Sequence, residues 1–285
     1  MHGYRLTRRG KLVLTMLVML VSLAGTFGLQ SIAIASDKAE YVIQNPASLS
    51  NTHSQVIKLH LSEKSEETEE LNNEIKEEFL SINIEDIRTY DKSKVAFLTF
   101  DDGPSSITPD VLQILQNYNL KATFFVLGNM CEKNSSILND INNNGHAIGI
   151  HSYSHNFNKL YKDEDSFINE VKLTENILKQ ILGNEFSTRL FRFPGGSFEN
   201  YKNQYMNSLN ELGYVSVDWN AVTGDTEFVN PTPDELLERL KATIKNKNNV
   251  VVLMHDSDTK QTTVDVLPGV IEHLKSEGYE FAILK

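Results

Sequence analysis

From Lys94 onward the chain repeats one pattern: a short apolar run, a polar break, then an amphipathic run with helical spacing. This alternation limits the fold more than any other feature of the sequence. The apolar runs fall at 95–100, 122–127, 147–150, 190–193, 214–217, 250–254 and 281–284. Each has strand length and is too short for a stable helix. The runs with helical spacing fall at 109–118, 135–143, 165–182, 205–212, 233–245 and 263–276. Pro109 and Pro233 suit first-turn positions, and Gly183, Gly213 and Gly278 follow helix ends. Strands joined by crossover helices predict an α/β fold with a parallel sheet of about seven strands. In such folds chemistry gathers at the carboxyl ends of the strands.

The polar residues lie where that rule puts them. Asp101 and Asp102 follow the first apolar run, and His151-Ser152-Tyr153-Ser154-His155 follows the third. Arg192-Phe193-Pro194-Gly195-Gly196 overlaps the end of the fourth. Asp218 and Trp219, with Asp225 further on, follow the fifth, and His255-Asp256 follows the sixth. Read alone, Asp101-Asp102-Gly103-Pro104 is turn chemistry. The other strand ends give it a second meaning.

His151 and His155 are four residues apart, so on one helical turn both rings would face the same side. With an Asp from a neighbouring strand end they make an Asp-His-His set with room for a further ligand, the pattern of a catalytic zinc site. No thiolate belongs to the set, which argues against softer metal chemistry. Hydrolysis at such a site needs a base and an acid. The remaining Asp of the pair suits the base, and His255 suits the acid. Arg192 beside a carboxylate would keep it ionised and oriented. The single cysteine, Cys131, has no neighbouring base that would mark it as a nucleophile.

The N-terminal third reads differently. Arg5, Arg8, Arg9 and Lys11 precede a nearly continuous apolar run at 12–29, and Ala33-Ile34-Ala35 fits a small-x-small cleavage site. Residues 1–35 are expected to be a signal peptide or a retained membrane anchor, with the rest of the chain outside the cytoplasm in either case. Residues 36–92 form a polar stretch with eight Glu between Ser62 and Glu78, read as a solvated linker. Residues 93–285 make the folded domain. The net charge of -11 excludes nucleic acid as the main partner. A single cysteine in an exported chain leaves stability to the core.

The segments Thr99-Phe100-Asp101-Asp102-Gly103-Pro104, Lys121-Ala122-Thr123-Phe124-Phe125, His151-Ser152-Tyr153-Ser154-His155, Phe191-Arg192-Phe193-Pro194-Gly195 and Leu253-Met254-His255-Asp256 stand in this order. In sequence and spacing they resemble the polysaccharide deacetylases, the NodB-like domain of carbohydrate esterase family four. The resemblance implies a distorted parallel (β/α) barrel holding one divalent metal, zinc in the first place, with cobalt or another divalent ion as an alternative. It carries the metal ligands onto Asp102, His151 and His155, the base onto Asp101, the acid onto His255 and the orienting arginine onto Arg192. Asp225 is expected to partner His255, with Asp218 as the other candidate. Gly195 would offer a backbone N–H to an oxyanion, and Leu253 an apolar wall for an acetyl methyl group. Trp219 is expected at the substrate side of the site. The chain departs from the family at Gly195, where a tyrosine is common, and at Thr226, where a tryptophan is common. The implied reaction is hydrolysis of N-acetyl groups on a polysaccharide, peptidoglycan N-acetylglucosamine first. The alternatives are chitooligosaccharide or acetyl-xylan deacetylation, or a non-catalytic glycan-binding module on the same scaffold.

Overall fold

The computed structural model describes residues 81–82 and 94–284. The segments read as signal peptide and linker lie outside the described residues, apart from the two-residue strand β1 (Ser81–Ile82). The remaining strands are β2 (Val95–Asp101), β3 (Thr123–Val126), β4 (Ala147–Ile150), β5 (Leu190–Phe191), β6 (Val215–Ser216), β7 (Ala221–Val222), β8 (Asn249–His255), β9 (Glu280–Phe281) and β10 (Ile283–Leu284). The helices are α1 (Thr108–Asn117), α2 (Gly128–Lys133), α3 (Ser135–Asn143), α4 (Phe157–Leu160), α5 (Glu164–Leu182), α6 (Asn203–Glu211), α7 (Pro233–Ile244) and α8 (Gln261–Ser276). A 3₁₀ turn, Asn200–Lys202, leads into α6.

Every strand pair is parallel, and the main sheet runs β6-β5-β4-β3-β2-β8-β7. The parallel sheet is what the alternation of apolar and helical runs predicts, and it curls into a distorted half-barrel, in line with what the family resemblance implies. Along its whole length β2 pairs with β8, from Val95 opposite Asn249 to Asp101 opposite His255. Its other edge is shared. Val95 and Ala96 pair with β9, whereas Thr99 to Asp101 pair with β3. The predicted strand at 281–284 is therefore two strands divided at Ala282, with β10 pairing β1.

Other differences have simple causes. The expected strand at 214–217 shrinks to the two residues of β6 at a sheet edge. The pair Ala221–Val222 forms β7 only because β8 offers it an edge. Helices α2 and α4 span fewer than two turns, too short for periodicity to register. Where local chemistry is strong, the boundaries follow it. α7 opens with a capping box in which Thr232 and Glu235 bond each other's backbone, and Pro233 occupies its first turn.

Side-chain alternation sorts the core into two parts. Ala96, Leu98 and Phe100 of β2 and Val250, Val252 and Met254 of β8 face outward under the helices. Val95, Phe97, Phe125, Leu190, Val217, Val251, Ala282 and Leu284 fill the barrel interior. A strand has a period of two, so continuing the inward parity leads from Phe97 to Thr99 and Asp101. It also leads from Val251 to Leu253 and His255, and from Leu190 to Arg192. At Gly149 a Cβ would lie 2.6 Å from the ring of Phe125, so only glycine lets that ring cross β4. The next inward position after Gly149 is His151.

Candidate active site

Asp101 ends β2, and Asp102 turns away with φ at +75°. This left-handed residue breaks the strand alternation that would send the two carboxylates to opposite sides. Both instead reach the same imidazole, with Asp101 Oδ2 at 3.8 Å and Asp102 Oδ1 at 3.7 Å from His151 Nε2. Asp102 Oδ1 also lies 3.5 Å from His155 Nε2. The helical turn expected for His151 and His155 is absent. They stand on a loop with left-handed backbone at Ser152 (φ 93°) and His155 (φ 53°), and their rings are 5.2 Å apart.

The residues present fit a metal ion. Asp102 Oδ1 is buried and has no hydrogen-bond partner. His151 Nδ1 lies 2.8 Å from the Arg192 carbonyl, which only accepts, so Nδ1 carries the proton and Nε2 presents a lone pair toward Asp102. Burial pushes the pKa of His151 down to about 3, so the ring stays neutral. Lone pairs facing one another without a proton call for a cation. Ligand atoms about 2.0–2.2 Å from an ion at tetrahedral angles stand about 3.3–3.6 Å apart, close to the spacings around Asp102 Oδ1. One donor atom from each of Asp102, His151 and His155 lies within 4.8 Å of the others.

Asp101 is buried beside this set. Its Oδ1 accepts from Arg192 Nη1 at 2.7 Å, and the same nitrogen donates to Thr99 Oγ1 at 2.8 Å. Thr99 in turn donates to the Val252 carbonyl, while Arg192 Nε donates to the Val217 carbonyl at 2.9 Å. The guanidinium lies 4.1 Å from the Phe125 ring centroid and 5.7 Å from that of Trp219. Burial raises the Asp101 carboxyl above the ordinary carboxylate range, against the opposing charge of Arg192.

His255 faces Asp101 across the β2–β8 ladder. Its Nδ1 lies 2.9 Å from Asp225 Oδ1, and Asp225 Oδ2 accepts from the His255 backbone N–H and from Thr263 Oγ1. Burial alone would lower the pKa of His255. The hydrogen bond and charge of Asp225, then the charges of Asp101 and Asp102, outweigh it and raise the value to about 9. Asp218 is occupied elsewhere, accepting from the backbone and side chain of Ser197. Asp256 lies on the opposite side of β8, where it accepts from Thr108 Oγ1 at 2.6 Å and packs so closely on Gly103 that a Cβ there would come within 2.3 Å.

The fold thus brings Asp101, Asp102, His151, His155, Arg192, Asp225 and His255 together at one end of the barrel. Leu253 lies two residues before His255 on the same face, and Trp219 stands between Arg192 and the exposed ring of Phe198. Gly195 is exposed at φ +76°, where an added Cβ would lie 3.1 Å from Phe157. Phe157 packs edge-on against His155.

Several residues of the site escape sequence reading. Glu170 is buried in α5 and holds the histidine loop. It accepts from the backbone N–H groups of Tyr153 (3.1 Å) and Ser154 (2.9 Å) and from Ser154 Oγ (2.7 Å). A signal was available, because Glu170 falls on the stripe formed by Phe167, Val171, Thr174 and Leu178, where an acid is out of place. Thr99 had a comparable signal in its inward parity. Lys202, buried in the 3₁₀ turn beneath residues 194–196, had none.

Comparison with known proteins agrees with this geometry. The sequence matches the family described as Polysaccharide deacetylase over residues 88–217. A peptidoglycan-N-acetylglucosamine deacetylase of Bacillus cereus is 34% identical over 191 residues, covering 66% of this chain and 68% of the relative. A CE4 esterase of Streptococcus mutans superposes with a TM-score of 0.69 at 36% identity, covering 74% of this chain and 94% of that one. The catalytic domain of a peptidoglycan N-acetylglucosamine deacetylase from Eubacterium rectale gives a TM-score of 0.63 at 30% identity, covering 68% and 90%. With its half-barrel, its strand-end constellation and these relatives, the chain belongs to the polysaccharide deacetylase family.

Proposed function

We propose that the domain hydrolyses N-acetyl groups of a polysaccharide, with the N-acetylglucosamine of peptidoglycan as substrate and one divalent metal, zinc in the first place, as cofactor. The observation that carries this reading is Asp102 Oδ1, buried and unpartnered between two imidazole nitrogens and next in sequence to a carboxylate clamped by a buried arginine. Asp102, His151 and His155 would hold the metal. When bound, such an ion supplies Lewis acidity, polarising a carbonyl and making water a better nucleophile.

The chain's own groups account for the proton traffic. Asp101 accepts the proton of the attacking water, and Arg192 aims it and opposes the rise that burial imposes on its pKa. The water oxygen adds to the amide carbon, and the Gly195 N–H donates to the oxygen that gains charge. His255, protonated at neutral pH, passes its proton to the amine nitrogen as the C–N bond breaks and acetate departs. Leu253 offers an apolar wall for the acetyl methyl group. Trp219 and Phe198, whose ring is 63% exposed, offer flat apolar surface to a sugar ring. The peptidoglycan reading draws on the names of the relatives, and the chain's negative charge sets nucleic acid aside.

We place the domain outside the cytoplasm, with residues 1–35 as signal peptide or anchor. The support is the basic cluster followed by the apolar run at 12–29. Among the described residues no helix is long and apolar enough to cross a membrane, so membrane attachment would rest on that segment.

Acetate and product mass measured in parallel on peptidoglycan, chitooligosaccharides and acetylated xylan test the substrate. Release from peptidoglycan at the highest kcat/KM is the expected result. Release from xylan alone would reassign the substrate, and release from none, with metal bound, would leave a glycan-binding module.

A further inference from the structure

We infer that Lys202, assisted by Tyr161, is a positioning residue that aims and polarises the Gly195 amide. The inference rests on the reading of that amide as an oxyanion donor. Lys202 is 1% exposed, which is unusual for a lysine and costly unless every proton is used. An ammonium has three. Lys202 Nζ donates to the Pro194 carbonyl at 3.1 Å, to the Gly196 carbonyl at 2.6 Å, and to Glu199 Oε2 at 2.9 Å. Two of its three partners are thus the carbonyls on either side of Gly195.

The consequence follows from peptide geometry. In a trans peptide the C=O and the following N–H point in opposite directions. The Pro194 carbonyl is held by Lys202 Nζ and also by the Tyr161 hydroxyl at 2.8 Å. The Gly195 N–H must therefore point away from the buried pair, toward the exposed side of the loop. The rest of the loop is tied down. Gly196 N–H donates to the Phe193 carbonyl, and Ser197 N–H donates to Asp218. Among the described residues the Gly195 N–H has no partner, so it is the donor this loop leaves open. A cation on the carbonyl end of a peptide draws electron density from its N–H and makes that N–H a stronger donor. A neutral side chain of the same length could fill the space under the loop without supplying this effect. The three surrounding rings, Phe157, Tyr161 and Tyr201, stand 5.0–5.9 Å from Nζ and keep water from screening the charge.

The test compares Lys202→Met and Lys202→Arg with the parent chain carrying its full metal complement. Lys202→Met is expected to lower kcat about tenfold to a hundredfold, below the roughly 10²–10³-fold cost of losing such a donor outright. KM and metal content should stay near parent values, and Lys202→Arg should recover most of the rate. A spectroscopic readout separates polarisation from simple support. Carbonyl-¹³C proline with ¹⁵N-glycine selects the two Pro-Gly peptides of the sequence, 194–195 and 268–269. The Gly195 amide proton should move upfield in Lys202→Met while that of Gly269 stays in place. A folded Lys202→Met variant with parental kcat, or with an unmoved Gly195 resonance, overturns the inference. If Lys202→Met does not fold, Tyr161→Phe removes the other donor to the same carbonyl. A severalfold fall in kcat then supports the inference and an unchanged kcat overturns it. Asp101→Asn is measured alongside. If it releases acetate at the parental rate, the reading of the site itself fails. If it is slow while Lys202→Met is fast, only the role of Lys202 is lost.

Discussion

The left-handed backbone of Asp102, directly after a residue that ends a strand, points two adjacent carboxylates at different partners. Asp101 keeps the strand's inward parity and meets Arg192, whereas Asp102 at positive φ swings toward the two histidines. Replacing each should therefore fail differently. Asp101→Asn is expected to keep its metal by mass spectrometry while acetate release falls about 10²–10⁴-fold. Asp102→Asn is expected to lose the metal at the same buffer concentration. The acid has its own signature. The group that gives up the proton is active while protonated, so the rate should fall as pH rises through the His255 pKa of about 9. Asp225 holds that value up, so Asp225→Asn should shift the alkaline limb of the kcat/KM profile to lower pH. These side chains were legible in the sequence because each sits at the end of an apolar run. Asp225 is preferred to Asp218 in the sequence only through the family resemblance, and in the fold Asp225 lies beside His255 whereas Asp218 accepts from Ser197.

At the scale of elements, the strands carry the residues and the helices fix the loops between them. The i,i+4 spacing of His151 and His155 predicts a helical turn, and the chain forms a left-handed loop in its place. Local spacing cannot anticipate this, because what holds the loop lies elsewhere in sequence. Glu170 of α5 accepts three of its donors, and the N-terminal amides of α2 donate to the carbonyls of Ser152 and Tyr153. Glu170→Gln exchanges one accepting oxygen for a donor and leaves part of the loop unheld. Metal affinity, measured by competition with a chelator, is expected to fall by up to about 10-fold, the lower end of the cost of losing a direct outer partner, because Glu170 holds the loop between the two histidines and neither ring itself. Long helices and apolar strands carry their own signal in the sequence. Two-residue strands such as β7, and helices α2 and α4, exist only through tertiary contact and carry none.

For the whole molecule, the barrel is closed at its base by its own last strands. β9 takes the edge of β2 that β3 leaves free, and Leu284 is fully buried in the interior, its N–H bonded to Thr123 Oγ1 at 3.3 Å. Leu284→Ala is expected to cost about 2–5 kcal/mol in denaturant unfolding, with kcat falling less than severalfold in the folded fraction, because Leu284 fills the interior beneath the site and bonds none of its polar side chains. The same closure governs the order in which the protein becomes competent. Thr99 and the carbonyl it bonds are 153 positions apart, so the central ladder is among the last to be available to a growing chain. Such high contact order makes for slow folding. The residues that would grip a metal are synthesised first, from β2 to β4, and the proposed proton donor with its partner comes only with the final quarter of the chain. A nascent domain would therefore gain the means to bind before it gains the means to react, and hydrolysis would switch on only once its C-terminal strands are in place.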